Sequence, residues 1–234
     1  MHKKFRWYNL IGLYSINFGF MEILDQATAA EVADKLLEIQ AIRLQPKKPF
    51  TWASGWKSPI YCDNRLSLSF PEVRCLIRDQ LVKSVSHFFP MTEAIAGVAT
   101  AGIPQGALIA NELDLPFIYV RSKPKGHGME NMIEGKVVPG QKVVVVEDLV
   151  STGGSSLKAV QDLRDAGFEV LGMVAIFSYG FDVADKNFEA AGVKLICLSH
   201  YDALLPRAVH RKYIDEEVLH SLSEWRKNPG TWMQ

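Results

Sequence analysis

Apolar positions along the chain follow two rhythms that take turns. Continuous apolar runs at 94–98, 116–120, 143–146, 169–177 and 194–198 have the look of strands buried on both faces. Between them, apolar residues recur three and four apart, the spacing of one helix face. Val32, Leu36 and Ile39 mark a helix over 30–44 that Pro46 and Pro49 end. Val73, Ile77, Leu81, Val85 and Phe88 mark another over 71–89, and residues 100–104 open a third that carries Ala107, Leu108 and Ala110. Leu157, Val160 and Leu163 begin a fourth, residues 183–191 form a fifth, and 201–227 reads as helical to the end. Residues 50–65 mix aromatics and turn formers, which predicts a short hairpin around Ser54-Gly55. Alternating strand and helix predicts an α/β fold, a doubly wound, mostly parallel sheet flanked by helices with right-handed crossovers. No repeat, low-complexity tract or linker divides the chain.

The stretch with the most chemistry is 142–156, KVVVVEDLVSTGGSS. The valine run delivers Glu147 and Asp148 to the carboxyl end of a strand, where open α/β sheets bind ligands. Ser151, Thr152, Gly153, Gly154 and Ser155 follow, with no bulky side chain to keep a ligand off the main chain, and free N–H groups at a helix start suit a phosphate. Acids beside a phosphate repel it unless they face something else, such as sugar hydroxyls. The predicted object is a ribose 5-phosphate cradle, with the cis-diol on Glu147 and Asp148 and the phosphate on 151–155. The plainer alternative is an ordinary turn whose Ser or Thr caps the next helix. Neither the Gly-x-x-x-x-Gly-Lys-Ser/Thr pattern nor Gly-x-Gly-x-x-Gly after a strand is present.

Two other loops carry candidate chemistry. Residues 121–128 leave the end of the 116–120 strand and place Arg121, Lys123 and Lys125 within five residues, with His127 able to titrate near neutrality. That is either a solvated surface or a basic loop that closes on an anion. Gly97, Ala99, Thr100, Ala101 and Gly102 permit close approach of an anion to the main chain or, nearly as well, a tight helix-sheet junction.

Bulk properties narrow the class. A chain of 234 residues buries on the order of 70 per cent of its unfolded surface. Formal net charge is zero, so no broad basic field points to nucleic acid or an anionic membrane, and any anion site is local. Three dispersed cysteines show no metal or disulfide spacing, which fits a reducing cytoplasm, and Cys62 reads as a small hydrophobe. His200, His210 and His220 are too scattered for a ligand set. Residues 1–20 are basic, then mildly apolar, but Asn9, Ser15 and Asn17 interrupt the run and Glu22 and Asp25 follow it. They are read as an N-terminal extension, not native or dispensable, with Met21 the candidate initiator and 21–234 a single domain.

The nine residues EDLVSTGGS, 147–155, resemble the phosphoribosyl pyrophosphate (PRPP) signature of type I phosphoribosyltransferases. FTWASGWKSPIYCDNR, 50–65, and YVRSKPKGHG, 119–128, resemble the hood and mobile loop of the orotate phosphoribosyltransferases, a similarity that spans about 21–225. The resemblance implies the type I phosphoribosyltransferase fold with a small hood within about 21–70. It implies PRPP binding by Arg121, Lys125, His127, Glu147, Asp148, Leu149, Val150, Ser151, Thr152, Gly153, Gly154 and Ser155. Catalysis would fall to Lys125, His127 and Asp148, and orotate contacts to Ser151, Tyr61 and Cys62. Mg²⁺ would arrive with PRPP and need no direct protein ligand, and a cytoplasmic homodimer would share its sites. Departures are Ala53 where many relatives have lysine, Ser122 where a second basic residue is usual, and Thr100-Ala101 for Tyr-Lys. The orotate-binding arginine of some relatives is missing from 177–181, FSYGF. Lys57, Lys123 and Arg65 are the candidate substitutes, with Arg65 expected to meet the orotate carboxylate. The rivals are an enzyme that uses a purine base, a non-catalytic module that responds to PRPP and a structural interaction protein, the last leaving the clustered small residues unexplained.

Overall fold

The computed structural model describes residues 21–52, 55–123 and 132–233. The expectations for 1–20, Lys125 and His127 lie outside the described residues. The chain runs β1 (Met21–Ile23), α1 (Gln26–Glu38), β2 (Ile42–Leu44), β3 (Phe50–Thr51), β4 (Lys57–Ser58), β5 (Ile60–Cys62), a 3₁₀ turn (Asn64–Ser69) and α2 (Pro71–Phe88). It continues through β6 (Ala94–Val98), α3 (Gly102–Leu113), β7 (Phe117–Val120), β8 (Ile133–Glu134), β9 (Lys142–Val150), α4 (Gly154–Asp165), β10 (Glu169–Ser178), α5 (Asp182–Ala191), β11 (Leu195–His200), α6 (Tyr201–His210) and α7 (Leu219–Lys227).

Among the described residues, seven strands form one sheet in the order β1-β11-β10-β9-β6-β7-β8. All neighbours pair in parallel except β8, which closes the edge antiparallel to β7. Because successive side chains on a strand point to opposite faces, Val144 and Val146 pack with α1, α2, α3 and α6, while Val143 and Val145 pack with α4 and α5. All four are fully buried, as a valine run covered on both sides requires. No described helix is long and apolar enough to cross a membrane.

Element boundaries differ from expectation where the local signal is short. The first helix starts at Gln26, not 30, because the Asp25 carboxylate accepts from the Thr28 N–H (2.7 Å) and caps it. It stops at Glu38, and Gln40 (φ 57°) turns the chain into β2, where Ile42 is buried and Arg43 exposed. The strand expected over 143–146 runs on to Val150, so Glu147 and Asp148 lie inside it. The terminal helical stretch is broken, with Lys212 at φ 60° between α6 and α7.

Two antiparallel ribbons, β2 with β5 and β3 with β4, form the hood. The β3–β4 hairpin turns at Gly55 (φ 87°), whose N–H donates to the Trp52 carbonyl (2.9 Å). Aromatic packing seats it, with the Trp52 ring 5.1 Å from Tyr179 and 5.7 Å edge-on from Trp225 of α7. Trp225 Nε1 also donates to the Lys57 carbonyl (3.1 Å), tying the hairpin to the far end of the chain.

Candidate active site

At the carboxyl end of β9 the two acids occupy different surroundings. Glu147, on the α4 face, is buried. Its oxygens accept from Ser156 Oγ (3.0 Å) and from the Asp148 N–H (3.0 Å). Asp148 starts from the other face, toward the 3₁₀ turn, where Asn64 Nδ2 donates to its backbone carbonyl (2.7 Å). The two carboxyl groups are nevertheless close enough at the strand end for the charge of Asp148 to act on Glu147. Burial, then repulsion from Asp148, pushes Glu147 up to about 8. Burial raises Asp148 as well. Burial thus favours the protonated form of the pair, and the two acids differ in their partners: Glu147 is engaged by Ser156 and the Asp148 N–H, whereas Asp148 is held through its backbone carbonyl by Asn64.

The loop that follows is bare. Gly153 stands at φ 81° ahead of α4 and no side chain caps that helix, so its first N–H groups are left for another acceptor. The Ser/Thr-cap alternative is not realised. Asn187 Nδ2 of α5 holds the Thr152 carbonyl (2.9 Å), and a side chain on Gly153 would press on the Phe188 ring (2.7 Å).

Between the end of the sheet and the hood lies a cavity of about 310 Å³. Thr51, Trp52, Tyr61 and Cys62 line it from the hood, and Leu149, Ser151 and Tyr179 from the sheet. Burial pushes the Cys62 thiol well up, and its Sγ–H donates to Asn64 Oδ1 (3.3 Å), so it is a wall and not a nucleophile.

The model of the phosphoribosyl transferase domain matches residues 72–200. The orotate phosphoribosyltransferase of Cytophaga hutchinsonii is 63% identical over 202 residues, covering 86% of this chain and 97% of that one. That of Porphyromonas gingivalis is 57% identical, covering 86% and 96%. The chain belongs to the orotate phosphoribosyltransferase family. Among solved structures, the family member from Aeropyrum pernix superposes with a TM-score of 0.68 at 30% identity, covering 75% of this chain and 97% of that one. Leishmania donovani UMP synthase superposes at 0.71 with 30% identity, covering 86% of this chain, which spans 43% of that longer protein.

Of the site residues that family membership suggested, Tyr61, Cys62, Leu149 and Ser151 share the cavity wall, and the acids and small-residue loop adjoin it in sequence. Arg65 does not line it. Its guanidinium is chelated by Asp63 (Nε 2.6 Å, Nη2 2.9 Å), a charge-assisted pair two residues away that the sequence spacing did not disclose. Arg121 stands at the base of its loop, its Nη1 on Glu134 (2.9 Å) and its Nε on the Lys123 carbonyl (3.1 Å). At 97–102 tight packing decides the glycines. A Cβ on Gly97 would sit 2.8 Å from the Gly102 carbonyl, and one on Gly102 would overlap the Val146 carbonyl. Three contributors escaped the sequence reading: Asn64, Tyr179 and Asn187. Asn64 lay within the quoted DNR stretch, but only its near-complete burial marks it as a brace, and burial is a tertiary property.

Proposed function

We propose that this protein transfers the 5-phosphoribosyl group of PRPP to orotate, giving orotidine 5′-monophosphate and pyrophosphate, a step of de novo pyrimidine (UMP) synthesis. The observation that carries the reading is the shared cavity, in which Ser151, first residue of the small-residue loop, faces the hood residues Tyr61 and Cys62. Residues 151–155 receive the 5-phosphate on main-chain N–H groups, and Asp148, with Glu147 behind it, takes the ribose hydroxyls. The flat base lies between Ser151 and the hood. Its N1, having given up its proton to solvent, bonds to C1′ as the C1′–oxygen bond to pyrophosphate breaks with its electron pair, so positive charge grows on the sugar and negative charge on the leaving group. The acids favour the first, and Arg121, Lys125 and His127, carried over from the family, favour the second. Among the described residues no cluster of three metal-ligating side chains exists, and hard carboxylate oxygens beside a sugar and phosphates fit Mg²⁺ that enters with PRPP. Bound there, it supplies charge neutralisation of the pyrophosphate. Residues 21–234 act as one domain, in a cytoplasmic homodimer whose basic loops complete the neighbouring site.

Incubation with PRPP, Mg²⁺ and a panel of orotate, uracil, adenine, guanine and xanthine tests this, with pyrophosphate release as the readout. Release with orotate is expected. Release with a purine alone transfers the assignment to the purine enzyme, and PRPP binding without turnover on any base transfers it to the regulatory module.

The acid pair makes PRPP binding proton-linked. Ribose hydroxyls and cationic charge prefer ionised carboxylates, so binding draws Glu147 down from about 8 and expels a proton. Affinity should rise with pH and level off above about 8. The apo fold has the opposite sign. Its raised acid keeps a proton that the unfolded chain has lost, so this group's contribution to stability falls from the ordinary carboxylate range up to about 8. Calorimetry of Mg·PRPP binding in two buffers of unlike ionisation enthalpy measures the proton. Glu147→Gln should abolish that part of the release, and an unchanged proton count would remove the linkage from this pair.

A further inference from the structure

A base that carries a carboxylate brings a full negative charge into a small cavity, and burying it without a compensating donor is costly. Among the described residues, no Lys, Arg or His lines that cavity. Two nearby arginines are committed elsewhere. Arg65 is chelated by Asp63, and the Arg43 guanidinium stacks on the Tyr61 and Phe50 rings, 4.8 and 5.7 Å from their centroids. Lys57 is different. It has no carboxylate partner among the described residues, and its Nζ donates to Thr51 Oγ1 at 3.1 Å. Thr51 is itself part of the cavity wall.

The direction of that hydrogen bond fixes what Thr51 can do. An ammonium has only donors, so the Thr51 oxygen must accept, and its own O–H proton is free to point away from Lys57. A hydroxyl polarised by a cation on one side is a strengthened donor on the other. The unit is also held in place. Thr51 and Lys57 are direct partners across the β3–β4 ribbon, the Trp52 N–H closes that ribbon on the Trp56 carbonyl (2.9 Å), and Trp225 pins the Lys57 carbonyl (3.1 Å).

We propose that Thr51 and Lys57 together form the carboxylate-recognition unit of the base site, the Thr51 hydroxyl donating to the carboxylate and the Lys57 ammonium supplying the charge behind it. This rests on the orotate reading above and explains how the hood selects a carboxylated pyrimidine without an arginine in FSYGF. Thr51 touches the base. Lys57 acts through it as a positioning and electrostatic residue.

The test uses the full chain with Thr51→Val, Lys57→Met, Lys57→Arg and the double variant Thr51→Val/Lys57→Met. Steady-state KM values for orotate and PRPP are measured beside the inhibition constant of uracil, which lacks the carboxylate. Each of Thr51→Val and Lys57→Met should raise the orotate KM about ten- to hundredfold, the worth of a charge-assisted hydrogen bond. The PRPP KM and the uracil constant should stay within about twofold of wild type. The double variant should be no weaker than the weaker single one, since the two residues act as one unit, and Lys57→Arg should restore most of the orotate affinity. An orotate KM that does not respond to Lys57→Met, or orotate and uracil constants that rise together, would overturn the proposal. Failure of the wild-type protein to release pyrophosphate with orotate would instead overturn the parent reading.

Discussion

An Asp148→Asn enzyme is expected to fold normally and to lose about a thousandfold in kcat, the upper range for removal of one preorganised electrostatic group. The fold should survive because Asp148 contributes its backbone, not its charge, to the structure: its carbonyl is braced by Asn64, and asparagine keeps the shape. The charge is another matter. Burial already holds Asp148 above the ordinary carboxylate range, so its ionised form costs free energy in the empty site and is relieved when positive charge develops on the sugar. That relief is greatest at the transition state, which places the loss in kcat more than in the KM for PRPP. The substitution also removes the repulsion second in raising Glu147, so the pH dependence of PRPP binding should move to lower pH. Glu147→Gln should cost less in kcat, because Ser156 and the Asp148 N–H already occupy its oxygens. Pyrophosphate-release kinetics beside a thermal melt would decide it, and a kcat loss below about tenfold in a normally melting protein would remove Asp148 from its electrostatic role.

The contrast between these two acids shows where sequence reading stops. Burial of Val143 to Val146 was legible because a continuous β-branched run has few other homes than the middle of a covered sheet. The bareness of 151–155 was legible because glycine and hydroxyl residues announce their lack of bulk directly. What was hidden was the end of the strand: with β9 running to Val150, neighbouring acids start from opposite faces and acquire different partners. Ile42–Leu44 was hidden for the reason that three apolar-polar-apolar residues fit the tail of a helix as well as a strand, and only pairing with β5 decides. The pairing of Arg65 with Asp63 was hidden because a sequence lists cations without saying which carboxylate each one has found. Tyr179 was noticed only for not being arginine, although its ring stacks on Phe181 (5.6 Å) and it lines the base cavity.

Gly102→Ala should damage stability and chemistry at once, although the residue touches no substrate in the proposed reaction. Gly102 opens α3, and an added Cβ would overlap the Val146 carbonyl and lie 3.5 Å from the Glu147 Cα, both backbone atoms that no rotamer change can move aside. Neither partner can retreat freely. The helix is backed by Gly97, where a Cβ would already be 2.9 Å from the Ile103 Cα, and Val146 is bonded into the middle of the sheet between β6 and β10. Overpacking of this kind costs about 3 kcal/mol, the high end of the usual range because the obstacle is main chain. For a chain of this size that is a fall of roughly 6–12 °C in Tm. The strain is released by moving β9 at the residue before the acid pair, and a displacement of about 1 Å at a reacting centre costs on the order of a hundredfold in rate. The variant should therefore remain slow even when assayed well below its own Tm, with PRPP affinity and kcat both reduced. A variant with wild-type turnover and a Tm within about 2 °C of the parent would show that the α3–β9 junction yields, and that the acids are positioned by the hood alone.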